Sequence, residues 1–153
     1  MFKKILSALI AMVSLVACSA CTLPFLNTQE SVSVSHTEEI KIAGIEKKTA
    51  EMLAIRVLED TDVKLLSVMQ DLQADGLLTF TKDMQGMITS INGQENAADW
   101  SACWMLYTSD TELSSTAWGG YEYNGNTLGS ASFGASDMPV KKGEVYVWAY
   151  VAF

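Results

Sequence analysis

The clearest constraint on the fold is a regular alternation of side chains at the end of the chain. Between residues 144 and 153, Val145, Val147, Ala149 and Val151 occupy every second position, and Tyr146, Trp148 and Tyr150 lie between them. Because successive side chains of a strand point to opposite faces of a sheet, this pattern predicts a strand with two different environments. The segment Lys141-Lys142-Gly143 directly before it is a turn signal.

One helix is predicted near the middle of the chain. Asp60 or Thr61 can accept a hydrogen bond from a free backbone N–H at the helix start, and Asp62 favours the positive end of the helix dipole. Gly76 can adopt a positive φ and so ends the helix. An apolar face at helical spacing is formed by Val63, Leu65, Leu66, Met69 and Leu72. This stripe predicts a side that packs against the core.

Strand-like segments flank the helix on both sides. They cover residues 40–45, 52–58, 78–82, 87–92 and 101–108, in addition to the last strand. Two strands, one helix and then several strands favour an α+β domain, in which the helix covers one face of a small mixed or antiparallel sheet.

The N-terminal segment carries the signals of an exported, lipid-anchored protein. Lys3 and Lys4 precede a short apolar stretch that ends in Leu15-Val16-Ala17-Cys18. The stretch is shorter than a spanning helix needs, and its end resembles the bacterial lipobox. We therefore expect a signal peptide over residues 1–17, lipidation at Cys18, a flexible tether over 18–37 and a domain over 38–153. The alternative is an ordinary secretory signal in which the cysteine is incidental.

Composition excludes several classes of function. Ten Lys and Arg against eighteen Asp and Glu give a formal charge of −8, which disfavours binding to nucleic acid. One His and three Cys are few ligands for a metal cluster. The one histidine, His36, lies in the predicted tether, and no Gly-x-Ser-x-Gly motif is present. The sequence therefore predicts neither an enzyme nor a metal site.

The second half of the chain resembles a known family. In order, it carries Met87-Ile88-Thr89-Ser90-Ile91-Asn92-Gly93, Trp104, Gly134-Ala135-Ser136-Asp137-Met138-Pro139 and Lys142-Gly143-Glu144. These motifs are similar to the C-terminal β-domain of the transcobalamin and intrinsic-factor proteins and to the bacterial domain family DUF4430. The resemblance implies a β-grasp-like fold, with one helix packed on a small sheet, and corrinoid binding.

The resemblance also implies ligand-facing positions. It places Ile88 and Leu106 toward the corrinoid. The hairpin over residues 109–133 is a long insertion relative to the carriers, and its Trp118, Tyr121 and Tyr123 can supply flat aromatic contact area. The alternative for this group is packing on the sheet, because Tyr121 and Tyr123 share one face of a hairpin that turns at Asn124-Gly125.

The sequence gives different predictions for the other three tryptophans. Trp104 and Trp148 are predicted to belong to the core. Trp100 adjoins the loop of residues 96–99, where we expect it to be exposed, and the sequence assigns it no role.

Together these expectations describe an extracytoplasmic, membrane-anchored lipoprotein, at the cell surface or facing the periplasm, that acts as a small-ligand binding module. The first expected ligand is cobalamin or another corrinoid, with a part in uptake, and no other cofactor is required. The expected partners are the lipid bilayer, the ligand and a second corrinoid-binding or transporter protein. The alternative function is a protein-interaction or adhesion module of the cell envelope without a small ligand.

Overall fold

The computed structural model describes residues 41–153, except for the side chain of Trp118. The predicted signal peptide, the tether and Cys18 lie outside the described residues. Within the described range, no helix is long and apolar enough to cross a membrane.

The described part of the chain forms nine strands and one helix. In chain order they are β1 (Ala43–Lys48), β2 (Met52–Val57), α1 (Leu65–Ala74), β3 (Phe80–Lys82), β4 (Ile88–Ile91), β5 (Gln94–Glu95), β6 (Ala102–Thr108), β7 (Ser114–Tyr123), β8 (Asn126–Ala131) and β9 (Val145–Ala152).

The strands form two antiparallel sheets. The larger sheet has six strands in the order β1-β2-β9-β6-β8-β7, and the smaller has three in the order β3-β4-β5. Strand β9 is central in the large sheet: Trp148 pairs with Leu53 of β2 on one side and with Leu106 of β6 on the other. This position explains why the last strand is apolar at nearly every residue.

The large sheet has two apolar faces, and they are covered differently. On the face toward the helix, which we call the helix face, the core includes Leu53, Ile55, Trp104, Leu106, Tyr146 and Trp148, packed with Leu65 and Met69 of α1 and with Ile88 and Ile91 of β4. On the opposite face, which we call the inner face, the buried residues are Met52, Ala54, Tyr107, Tyr123, Leu128, Val145, Val147 and Ala149. The alternation predicted for the last strand is confirmed, since Tyr146 and Trp148 belong to the first core and Val145 and Val147 to the second.

The predicted fold class, an α+β β-grasp, is wrong. The structure is mostly β, with 47% of the described residues in strands and 9% in helix, and the large sheet is a curled antiparallel half-barrel. The physical reason is that the inner face is also apolar, and one short helix on the other side leaves it uncovered. The sheet buries this second face by curling over it, so that residues of β7 and β8 pack against those of β2 and β9.

A polar cluster holds the two edges of the curled sheet together. Glu46 of edge strand β1 accepts a hydrogen bond from the Tyr123 hydroxyl at 3.0 Å and one from the Asn124 amide at 3.1 Å, both at the far edge of the sheet. The other carboxylate oxygen of Glu46 pairs with Arg56, whose guanidinium also donates to the Gly143 carbonyl at 2.8 Å. We call Glu46, Arg56, Tyr123 and Asn124 the edge clasp.

The predicted start of the helix is wrong and its predicted end is confirmed. The helix begins at Leu65 after Lys64, and no side chain caps it. Instead, the N–H groups of Leu65 and Leu66 donate to the carbonyls of Met138 and Ala135, each at 2.9 Å. A distant loop therefore satisfies the free N–H groups that a local Asp or Thr would otherwise cap. At the other end Gly76 adopts a φ of 71°.

The long hairpin turns where the sequence predicts. Asn124 and Gly125 have φ of 48° and 78°, so both central residues of the turn are left-handed, as a tight two-residue hairpin requires. Strand β7 ends at Tyr123 and β8 begins at Asn126. The pairing of β7 with β8 is interrupted between Ser115 and Gly120.

Candidate functional site

A cleft of about 440 Å³ opens on the helix face, between the large sheet and the turn that joins β3 to β4. The loop that follows β8 forms its third wall. The side chains that matter below are Met87, Ile88, Trp104, Leu106, Phe133 and Trp148. This volume lies within the range of small-molecule sites, about 300 to 1,000 Å³.

Trp104 forms a rigid part of the floor. Its indole N–H donates to the Gln94 carbonyl at 2.8 Å, and its backbone N–H donates to the Asn96 side chain at 2.9 Å. Its ring also meets the ring of Tyr150 edge to face, with centroids 5.5 Å apart. The indole N–H bond and the contact with Tyr150 orient the ring, and the backbone bond holds the strand that carries it, so the floor is preorganised for a ligand.

The rest of the floor is apolar and almost wholly buried. Trp148, Leu106 and Ile88 are exposed by only 5%, 7% and 2%. They belong to three strands, β9, β6 and β4, so the pairing of the large sheet and the packing of the small sheet on it bring them together. The buried indole nitrogen of Trp148 has no hydrogen-bond partner among the residues that the structure describes.

The rim of the cleft carries exposed apolar side chains. Met87 and Phe133 are each 47% exposed on opposite walls. The walls approach closely at Gly86, which has a φ of 87° and where a Cβ would lie 2.6 Å from the Ser136 hydroxyl oxygen. Glycine is favoured there because its backbone has a positive φ and because a Cβ would push the Ser136 hydroxyl aside.

Polar groups surround the apolar floor. Ser132, Ser136, Gln85 and Asp137 contribute hydroxyl, amide and carboxylate groups to the lining. The arrangement suits a ligand with a broad apolar centre and hydrogen-bonding groups at its edge.

The stronger charge interactions lie away from the cleft. Lys141 pairs with Asp110 at 2.8 Å and with Glu112 at 2.7 Å. Burial alone would raise the pKa of Asp110, but the hydrogen bonds from Lys141 and from the backbone of Glu112 outweigh it and lower the pKa. In the edge clasp, the hydrogen bond from Arg56 is the main cause that lowers the pKa of Glu46, and those from Tyr123 and Asn124 add to it. Neither group lines the cleft, where Asp137 is the one charged side chain among the described lining residues, so ligand contact there depends on shape, on neutral polar groups and on this carboxylate.

Of the predicted ligand-facing residues, Ile88 and Leu106 come together in the cleft. They lie in strands of different sheets and line the same floor. The resemblance that singled them out therefore selects residues that share one concave surface in this chain.

The hairpin tyrosines lie on the other face of the sheet. Tyr123 is buried in the inner-face core, and Tyr121 packs against that core with its ring centroid 5.2 Å from that of Tyr107. This is the packing alternative, and it places both rings across the sheet from Ile88 and Leu106. The side chain of Trp118 lies outside what the structure describes.

The sequence predicts core positions for Trp104 and Trp148 and assigns no role to Phe133. The two tryptophans are indeed buried, at 5% exposure each, but they also form the floor of the cleft. The alternation of side chains along β6 and β9 predicts that the two tryptophans lie on one face of the sheet. It does not show that one end of this face is left uncovered. Phe133 follows the strand β8, and no local pattern distinguishes it from any loop residue.

Among the described residues, no group of three or more His, Cys, Asp and Glu side chains could hold a metal ion. Comparisons with protein-family models, with curated proteins and with solved structures found no match for this chain.

Proposed function

We propose that this protein is a small-ligand binding module whose cleft on the helix face takes a flat, largely apolar guest with polar groups at its rim. A corrinoid is the first ligand to test. The observation that carries the proposal is the preformed floor of Trp104, Trp148, Leu106 and Ile88, surrounded by hydroxyl, amide and carboxylate groups. The motif resemblance points to the same ligand class and to two of the same floor residues.

The cleft suits one side of such a guest. A volume of about 440 Å³ accommodates part of a macrocycle, and the opposite side of the ligand would remain open to a second protein. A few aromatic contacts, each on the order of 1 kcal/mol beyond burial, support roughly micromolar affinity rather than the tighter binding of an enclosed carrier. This range suits a protein that passes its ligand on for uptake.

The direct test is a titration of the purified full-length chain with cobinamide and cyanocobalamin by equilibrium dialysis. We expect saturable binding with a Kd that is roughly micromolar. Phe133→Ala removes an exposed rim side chain without touching the core, and should raise the Kd about fivefold. Phe153→Ala is the matched control, because Phe153 is 77% exposed and does not line the cleft.

Two results would reject the proposal. One is the absence of saturable binding at high micromolar corrinoid. The other is equal weakening by the Phe133 and Phe153 changes, which would show that the rim of the cleft is not the contact. The variants Tyr121→Ala and Trp118→Ala then test whether the ligand binds at the hairpin instead of the cleft. If they lose binding and Phe133→Ala does not, the ligand binds at the hairpin.

The N-terminal sequence supports placement of this module at a membrane. Lipidation at Cys18 would hold the domain at the surface through the tether, because several acyl chains together anchor a protein stably. Metabolic labelling with a fatty-acid analogue should mark the wild-type chain and not Cys18→Ser. Labelling that persists in that variant would contradict the assignment.

A specific observation favours a second candidate, a protein-interaction module. Met84 is 96% exposed in the turn between β3 and β4, and Met87 in the same turn is 47% exposed. Exposed methionines of this kind are common at adaptable protein contacts. If corrinoids do not bind and Met84→Gln abolishes association with envelope proteins, this second function replaces the first.

A further inference from the structure

A second cavity, of about 360 Å³, lies on the small sheet and shares no lining residue with the cleft. Thr81 of β3, Thr89 of β4 and Glu95 of β5 line it, together with Trp100 from the loop that follows β5. A ligand in this cavity would bind independently of the cleft and of the proposed function.

The backbone of Trp100 has an unfavourable conformation, and this conformation does not bury the side chain. Its φ is 61°, in the left-handed region, and its side chain remains 54% exposed. That backbone conformation costs a non-glycine residue about 1 to 2 kcal/mol. Since an exposed indole repays little of this cost through packing, the hydrogen bonds of the loop hold the conformation, and the ring stays available for contact with a ligand.

The loop that carries Trp100 is tightly cross-linked. The N–H of Ala97 donates to the Ala102 carbonyl at 2.8 Å and closes the loop, and the N–H of Trp100 donates to the Ala97 carbonyl at 2.9 Å. The Asp99 carboxylate accepts from the Ser101 hydroxyl at 2.7 Å and from its N–H at 3.1 Å. The indole is therefore mounted on a preorganised loop, which lowers the entropy lost when a ligand binds.

The polar groups beside the indole can bind hydroxyls. The hydroxyl oxygens of Thr81 and Thr89 are 2.9 Å apart and share one hydrogen bond, which leaves one proton and further lone pairs available. The Glu95 side chain is exposed and accepts only, through its carboxylate. The Asn96 amide is already used on both atoms, by the Ile88 carbonyl at 3.1 Å and the Trp104 N–H at 2.9 Å.

We propose that this cavity binds a pyranose ring of a neutral oligosaccharide. The C–H bonds on the face of such a ring are weakly positive and match the negative face of the Trp100 indole. The ring hydroxyls match Thr81, Thr89 and Glu95, which offer acceptors and one donor. The cavity is large enough for one or two sugar residues and lies open at the surface, as an extended glycan needs.

A quaternary ammonium ligand fits the same cavity less well. It would use the indole face and the Glu95 carboxylate but has no group to bond the two threonine hydroxyls. Cages for such cations also use several aromatic rings, whereas Trp100 is the one aromatic residue that lines this cavity in the described part of the chain. The sugar uses the indole of Trp100, the hydroxyls of Thr81 and Thr89, and the Glu95 carboxylate.

The test is an NMR titration of the isotopically labelled full-length chain with cellotetraose and with chitotetraose. The chain has four tryptophans, and their indole N–H signals report the contact directly. We expect at least one of the two sugars to shift the Trp100 signal saturably at millimolar concentration. Trp100→Asn removes the ring and is compatible with a positive φ, so that the fold is retained. Its Kd, followed by the backbone amide signals of Thr81, Thr89 and Glu95, should be roughly tenfold higher or more.

Matched variants complete the design. Trp100→Phe should restore most of the affinity, since it returns a ring, and Phe133→Ala should leave sugar binding unchanged because Phe133 lines the other cavity. The proposal is overturned if neither sugar shifts the Trp100 signal, if Trp100→Asn binds as tightly as the wild type, or if choline shifts that signal and the sugars do not. Corrinoid binding in the same variants is scored separately, so failure of one site is distinguishable from failure of the other.

Discussion

The helix face and the inner face of the large sheet are made by alternating residues of the same strands, yet they end in different surroundings. The helix face is covered by α1 and by the small sheet, two separate pieces that leave a cleft between them and the strands. The inner face is covered by the sheet itself, and its edges are joined by the edge clasp. Covering a face with separate pieces leaves room for a ligand, whereas curling the sheet fills the space with its own side chains.

The largest expected effect on stability comes from truncating two neighbouring residues whose side chains point to opposite faces of the large sheet. Leu53 is 0% exposed on the helix face and Met52 is 6% exposed on the inner face. We expect Leu53→Ala to lower the free energy of unfolding by about 4 kcal/mol and Met52→Ala by about 2 kcal/mol, because Leu53 is enclosed by a second layer. Urea denaturation of both variants measures the difference. Equal losses would mean that the two faces are packed equally well.

A smaller effect is expected at the edge clasp. Tyr123→Phe removes the hydroxyl that donates to Glu46 and should lower the free energy of unfolding by about 1.5 kcal/mol. Tyr121→Phe is the control on the same face, since within the described residues the Tyr121 hydroxyl makes no hydrogen bond, and it should change stability by less than about 0.5 kcal/mol. If the control loses as much as Tyr123→Phe, the curl does not depend on the clasp.

The smallest expected effect is the pH dependence of the stability that the edge clasp contributes. Because the folded state lowers the pKa of Glu46 from its ordinary value of 4.5, chiefly through the hydrogen bond from Arg56, the clasp adds stability above that value. This contribution declines as the pH falls below 4.5 toward the folded-state pKa, where the carboxylate takes up a proton.

Comparison of the wild type with Glu46→Gln isolates this contribution. The stability difference between them should shrink as the pH is lowered from 6 to about 3, the range in which a carboxylate with a lowered pKa titrates. Chemical denaturation at each pH provides the measurement. A difference that stays constant across the range would show that the charge of Glu46 does not contribute to closing the sheet.

Local features of the fold could be predicted from the sequence. The alternation in β9, the turn at Asn124-Gly125 and the helix end at Gly76 all depend on residues within a few positions of each other. The start of the helix could not be predicted, because its free N–H groups donate to the carbonyls of Ala135 and Met138, which lie far along the chain. A polar residue at the expected place predicts a cap only when no distant carbonyl takes the same bonds.

The candidate cleft was predictable only in part. Motif resemblance selected Ile88 and Leu106, and the structure places both in one floor. It could not show that Trp104 and Trp148 border open space, because burial in a core and burial beneath a cleft require the same apolar side chains. Phe133 enters the site only because the loop after β8 returns to the turn at Gly86.

By itself the sequence determined the positions of β2, β4, β6 and β9, where the tight turns fall and which side chains alternate along β9, because these follow from the geometry of neighbouring peptide units. Only the tertiary structure decided what covers each face of the large sheet. Two apolar faces can be buried by a second layer or by curvature, and the choice depends on contacts such as that of Glu46 with Tyr123, whose partners are far apart in the chain.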